Sequence, residues 1–241
     1  VTSIFATAMG DDFGRLHPMM QKRFGVGLDG GYGCEGTGVM TRIRRGPWWT
    51  VPFLYIGKIR NILVPTHGDD VPFTIENFPY RDPLGRETVT FVREMGTGKS
   101  RGRFDATMVL GSGEPSARVC GNAGSTLKAG QPRIVDYLGS HQHLAVDLEL
   151  TAGEDGSLHL RSGAQRFYEG PIAFRFPMQF SGRAELTESF DDAAGVFRIR
   201  MEVHNRVFGF LFGYEGVFRC EFPEAADAPH HLKPVRHERR E

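Results

Sequence analysis

The sequence predicts a mainly β protein: a strongly curved antiparallel sheet or lipocalin-like β-barrel of about ten strands, with N-terminal helices packed on it or capping it. Two observations carry this. Between Phe208 and Phe222 the even positions are nearly all aromatic (Phe208, Phe210, Phe212, Tyr214, Phe218 and Phe222), while Gly209, Gly213, Glu215, Arg219 and Glu221 take odd ones. Strand side chains alternate between faces, so this segment is a strand with one aromatic face, either the core of a sandwich or the lining of a barrel. From Val71 onward the alternation recurs in short runs separated by turn signals such as Asp155-Gly156 and Asp191-Asp192, which makes sequential runs antiparallel neighbours and favours closure.

The chain opens helically. Ser3 can cap Ile4, Phe5, Ala8 and Met9, and Asp11 or Asp12 can cap a turn carrying Phe13 and Leu16. Pro18 interrupts this, and Met19 to Phe24 restarts as a short helix that stops at Gly25. The glycine-dense run from Gly25 to Gly38 reads as loop, followed by a strand over Val39 to Arg45. Trp49, Phe53, Ile56, Ile59, Arg60 and Leu63 have the spacing of an amphipathic helix. The expected strands are then 71–81, 87–95, 102–110, 133–139, 143–151, 157–168, 171–180, 182–190, 196–204 and 208–222. Residues 1–222 thus form one β-barrel-like domain, and the polar, proline-containing 223–241 reads as an unstructured tail.

Composition excludes several functions. The 29 basic and 29 acidic residues cancel, leaving no electrostatic footprint for nucleic acid. The apolar stretch from Trp48 to Ile56 is too short to span a bilayer, and no signal-peptide pattern precedes it, so the expectation is a cytoplasmic protein without an integral membrane segment. Cys34, Cys120 and Cys220 are widely spaced and odd in number, which fits free thiols better than disulfides or zinc.

At this point the chain resembles a family. Gly10-Asp11-Asp12-Phe13, Leu16-His17-Pro18 and Arg23-Phe24-Gly25 at the start, with Gly209, Gly213-Tyr214 and Gly216 at the end, look like the bacterial domain-of-unknown-function 4166 family over Ile4 to Phe222. The resemblance implies a domain that occurs alone or behind nicotinamide-nucleotide-binding domains of saccharopine-dehydrogenase type. It brings no catalytic residues. The chain departs from it around Gly170 to Phe180, where Phe174, Phe176, Met178 and Phe180 stand in place of a proline-rich turn.

Familiar motifs fail on context. Gly25-Val26-Gly27-Leu28-Asp29-Gly30 and Gly31-Tyr32-Gly33-Cys34-Glu35-Gly36 match a dinucleotide pattern but follow a helix and open no βαβ unit. Gly96-Thr97-Gly98-Lys99-Ser100 lacks the first glycine of a phosphate loop and reads as a hairpin turn. His141 and His143 share a face with Ala145, Asp147 and Glu149 that is expected to meet solvent. No metal set, nucleophile elbow or cofactor motif remains, so no cofactor is expected.

What survives is a set of ionisable residues on apolar strand faces. Arg93 alternates with Val89, Phe91 and Met95; Asp136 with Ile134 and Leu138; Arg166 with Leu158, Leu160 and Ala164; Glu188 with Ala184, Leu186 and Phe190. Tyr214 lies on the aromatic stripe, and Tyr168 shares the face of Arg166. A buried charge costs several kcal/mol, so these groups are paired, protonated or in contact with a cavity. One reading is internal ion pairs that fix strand register. The other is a small-molecule site: a cofactor-free enzyme that folds a polyketide- or terpenoid-like substrate against Phe174, Phe176, Phe208, Phe210 and Phe212 and cyclises or isomerises it. Here Arg93, Asp136, Glu188 and Tyr214 are the catalytic candidates and Arg166 and Tyr168 bind substrate. Holding a flexible chain in a reactive conformer can remove about 7–11 kcal/mol of barrier. A carrier of lipids or pigments and an accessory domain to a dehydrogenase are the alternatives. An aromatic face left uncovered in the monomer would predict a homodimer.

Overall fold

The computed structural model describes residues 2–47, 67–98, 101–111, 132–175 and 182–240. Ser3 begins helix α1 (Ile4–Met9): its hydroxyl accepts from the Ala6 amide, which removes one of the unpaired donors at a helix start. A 3-10 segment over Gly10–Arg15 leads to helix α2 (Pro18–Phe24), where His17 Nδ1 accepts from the Met19 amide and Pro18 fills the first turn.

Twelve strands follow: β1 (Cys34–Arg45), β2 (Gly68–Asn77), β3 (Pro79–Arg81), β4 (Glu87–Met95), β5 (Gly102–Gly111), β6 (Arg133–Leu138), β7 (Leu144–Ala152), β8 (Leu158–Glu169), β9 (Ile172–Arg175), β10 (Arg183–Asp191), β11 (Val196–Asn205) and β12 (Gly209–Glu221). Antiparallel pairing runs β10-β11-β12-β1-β2-β4-β5-β6-β7-β8, and the first half of β8 returns to β10 through Leu158↔Glu188. The result is a closed ten-stranded antiparallel barrel, which leaves few unpaired edges. β3 continues the line of β2 beside β4, and β9 extends the second half of β8.

The helices close one end. Ile4, Phe5, Met9, Leu16, Met20 and Phe24 join the same core as the inward residues of the strands. Phe5 meets Phe24 and Phe91 edge-on at 5.2 and 5.8 Å, and a second aromatic file runs from Phe73 through Phe218, Phe197 and Phe190 to His17. The β7–β8 and β10–β11 turns belong to this end, since the Gly156 carbonyl accepts from the His17 amide and Asp192 pairs with the His17 ring. The C-terminal ends of β1, β4, β6, β8 and β11 lie at the far end.

Four sequence expectations need correction. The run from Gly25 to Gly38 is not all loop, because β1 begins at Cys34. Gly36 and Gly38 lie there for close approach rather than for turning: a Cβ at either position would collide with Ile75 and Phe218, or with the Val217 carbonyl. The run 71–81 breaks at Phe78 into β2 and β3. His143 does not face solvent; it is buried and contacts the Tyr168 carbonyl and Glu169.

Residues 223–240 are likewise no loose tail. They run along the outside of the barrel, where Ala228 and Leu232 bury against Phe78, Tyr80 and Val92. The Glu238 amide donates to Gln142 Oε1, Tyr137 Oη to the Arg240 carbonyl, and the Val235 amide to the Ser140 carbonyl. The expected helix from Trp49 to Leu63 and the second half of the strand 171–180 fall outside the described residues.

Candidate functional site

Two polar layers occupy the barrel interior. The one at the helix end centres on Arg23, which shares the inward face of α2 with Met20 and Phe24 and is 2% exposed. Its Nε donates to Glu188 Oε1, its Nη2 reaches Glu188 Oε2 at 3.5 Å, and its Nη1 donates to Asn77 Oδ1 at 2.8 Å and to Cys34 Sγ at 3.2 Å. The guanidinium lies over the ring of Phe218 at 5.0 Å. Burial alone would lower its pKa, but Glu188, together with Cys34 and Cys220, more than offsets this and holds it charged. Cys220 also points at Arg23, and its hydrogen bond to Cys34, followed by the guanidinium, brings the Cys34 thiol down to about 7 while Cys220 is raised.

This layer is internally satisfied. Glu188 therefore has its partner in Arg23, a helix residue, and not in Arg93 or Arg166. Its pairing with Arg23 ties the helical plug to the barrel wall, and it stands apart from the other three catalytic candidates.

The second layer lies toward the far end and is unsatisfied. Arg93 stands two residues from the far end of β4, Asp136 two residues from that of β6, and Tyr214 five residues into β12. All three face the core, with exposures of 8%, 7% and 5%. Arg93 Nε, Asp136 Oδ1 and Tyr214 Oη have no hydrogen-bond partner among the described residues. The Arg93 guanidinium lies over the rings of Phe104 at 4.9 Å and Phe91 at 5.7 Å. Desolvation raises the Asp136 carboxyl to about 7, against a smaller opposing pull from Arg93. Burial also raises the Tyr214 phenol, so it stays protonated and able to donate.

Arg166 and Tyr168 do not join this layer. Across β7–β8 the register runs Val146↔Gln165 and then Leu148↔Ser162, so three steps on β8 oppose two on β7. This bulge inverts the alternation: Leu158, Leu160 and Ser162 face inward before it, and Arg166 and Tyr168 face outward after it. Outside, Arg166 grips Asp147 through two bonds of 2.6 and 2.9 Å, and Tyr168 packs with Val109, Val135, Tyr137 and Ala145.

The aromatic stripe divides as well. Phe212, Tyr214 and Phe218 are buried in the core. Phe208 is not in the strand: it sits in the β11–β12 turn, 48% exposed, its amide held by Asn205 Oδ1. A register shift between Val203 and His204 then places Phe210 opposite His204 on the outer face, against Arg44. Phe174, 46% exposed, leans on Phe167 at the far rim instead of lining the interior, and Phe176 lies outside the described residues. The inward part of the stripe is covered, so the condition for expecting a homodimer through it does not arise.

Among the described residues no cluster of three His, Cys, Asp or Glu side chains is placed to hold a metal, and no helix is long and apolar enough to cross a membrane. Sequence reasoning missed Arg23, Asn77 and the Cys34–Cys220 contact. The signal for Arg23 was present, a charge at helical spacing from Met20 and next to Phe24.

Comparison with known proteins agrees with the resemblance seen in the motifs. The model of a family described as a domain of unknown function (DUF4166) matches residues 16–119 and 121–218, which includes the Leu16-His17-Pro18 and Arg23-Phe24-Gly25 motifs. The uncharacterized protein YndH of Bacillus subtilis (strain 168) is 31% identical over 213 residues, covering 87% of this chain and 93% of that protein. The chain belongs to the DUF4166 family.

Proposed function

We propose that the barrel takes an apolar small molecule with one oxygenated group into its far half and moves a proton on it, promoting isomerisation or cyclisation. One observation supports this reading: Arg93 Nε, Asp136 Oδ1 and Tyr214 Oη are buried in an apolar core and have no hydrogen-bond partner among the described residues. An unsatisfied buried polar group costs about 1–3 kcal/mol, so each of these calls for a partner such as water, an ion or a ligand. Their chemistry is complementary. Asp136, raised to about 7, is poised to accept and return a proton near neutrality. Arg93 can hold a developing enolate or a carboxylate, and Tyr214 can donate to the same oxygen. The phenylalanines beside Arg93 supply apolar walls that orient the rest of the substrate.

Native mass spectrometry after incubation with an extract of apolar metabolites tests the reading, followed by deuterium uptake into the retained compound in heavy water. Expected are retention and exchange by the wild-type chain, and retention without exchange by Asp136→Asn. Retention without exchange by the wild type would favour a carrier, and no retention at all would remove the reading.

A further inference from the structure

The far rim of the barrel carries a surface that the interior site does not explain. Of the large apolar side chains exposed among the described residues, Ile172, Phe174, Val207, Phe208 and Val235 all belong to this end: the β8–β9 turn and strand β9, the β11–β12 turn, and the outer segment where the Val235 amide bonds to Ser140. Val207 and Ile172 are 67% and 56% exposed, and no strand or helix among the described residues covers them. The two turns are held out by their own geometry. Asn205 Oδ1 accepts from both the Val207 and Phe208 amides, and Gly170 and Gly209 turn the chain with φ of 53° and 71°.

Charge is sorted along the barrel axis. The chain carries 29 residues of each sign, yet Asp11, Asp12, Asp29, Glu154, Asp155, Asp191 and Asp192 gather in the turns of the helix end. At the far rim Arg45, Arg183 and Arg206 are exposed and form no ion pair among the described residues, with Asp70 the unpaired acid nearby in the topology. A neutral chain with acidic turns at one end and free arginines at the other carries a dipole that presents this rim to an anionic plane. Apolar tips interleaved with arginines have the make-up of an interfacial anchor: the tips enter the headgroup boundary while the guanidinium groups stay at phosphate level.

We propose that the far rim docks on an anionic lipid bilayer, with Ile172, Val207 and Phe208 as the inserted tips and Arg45, Arg183 and Arg206 as the headgroup contacts. The docking claim stands on the rim alone; that it delivers a membrane-dissolved substrate to Arg93, Asp136 and Tyr214 rests on the function proposed above. The rim surrounds the end nearest those residues, so a bound bilayer would face the site directly.

Co-sedimentation with vesicles tests this, using phosphatidylcholine alone and phosphatidylcholine mixed with phosphatidylglycerol. The intact chain is expected to bind the mixed vesicles and to be released by high salt. Val207→Asp with Phe208→Asp removes the tips, and Arg183→Glu with Arg206→Glu reverses two contacts; each pair lowers binding by about tenfold or more. Leu84→Asp, an exposed apolar position at the helix end, leaves binding unchanged. Failure of the intact chain to bind mixed vesicles, equal loss with Leu84→Asp, or a dimer by native mass that Val207→Asp dissolves would overturn the proposal. Retention of a soluble apolar compound by the rim variants separates failure here from failure of the interior site.

Discussion

Arg23 of α2 and Glu188 of β10, 165 residues apart in the chain, form a buried ion pair that fastens the helical plug to the barrel wall. Both side chains are almost fully enclosed, and Asn77 and Cys34 take up a further guanidinium nitrogen. Truncating one partner strands the other charge in a low-dielectric interior, which costs about 3–5 kcal/mol. Glu188→Ala and Arg23→Met are each expected to lower unfolding free energy in urea by that order. A double-mutant cycle should show strong coupling, whereas additive losses would mean that the pair is not a unit.

Asp136 makes stability fall as pH rises. Its carboxyl is raised from the model-compound value of 3.8 to about 7 in the fold, so between those limits the native state binds more protons than the unfolded chain. The slope of stability with pH is negative there, and the penalty is complete above neutrality. At about 1.36 kcal/mol per unit the cost is a few kcal/mol. Asp136→Asn should match the wild type near pH 4 and exceed it by roughly that amount at about pH 8. Denaturant midpoints across this range check it, and parallel curves for the two proteins would contradict the assignment.

Arg166 belongs to the outside of the barrel. With Asp147 as its partner, Arg166→Leu is expected to leave retention of an apolar compound unchanged while costing some stability. Native mass spectrometry with a thermal melt distinguishes this from a role in the interior.

Residues 223–240 act as a strap. Leu232 is 3% exposed in a pocket made with Phe78, Tyr80 and Val92. Leu232→Ala should cost about 2–5 kcal/mol by cavity formation. Truncation after Phe222 should uncover these aromatic side chains and also remove the strap's bonds to Tyr137, producing binding of a hydrophobic dye. An unchanged melt after truncation would show the strap to be idle.

The strands were legible because a two-residue period survives wherever one face is buried, and β4, which the structure places at Glu87–Met95, coincides with the expected run 87–95. The same rule placed Arg93, Asp136, Glu188 and Tyr214 on the inside. It failed at Arg166 and Tyr168 because the β8 bulge adds a residue that sequence alternation does not announce, at Phe208 because the strand starts after Asn205–Phe208 has turned, and at Phe210 because the register shift beside Val203 and His204 puts it on the outer face. Arg23 was less legible because a seven-residue helix spans barely two turns and gives its inward face too few positions to set a period. The strap escaped because its polar composition hides the few anchors, Ala228, Leu232 and Glu238, that hold it.

The most direct test of the interior site is Tyr214→Phe, read by thermal melting together with retention of the apolar compound. The phenol has no hydrogen-bond partner among the described residues, so removing its oxygen relieves a desolvated group. The variant is therefore expected to melt at or above the wild-type temperature and yet to lose retention. A destabilised variant that still retains the compound as tightly as the wild type would contradict the account.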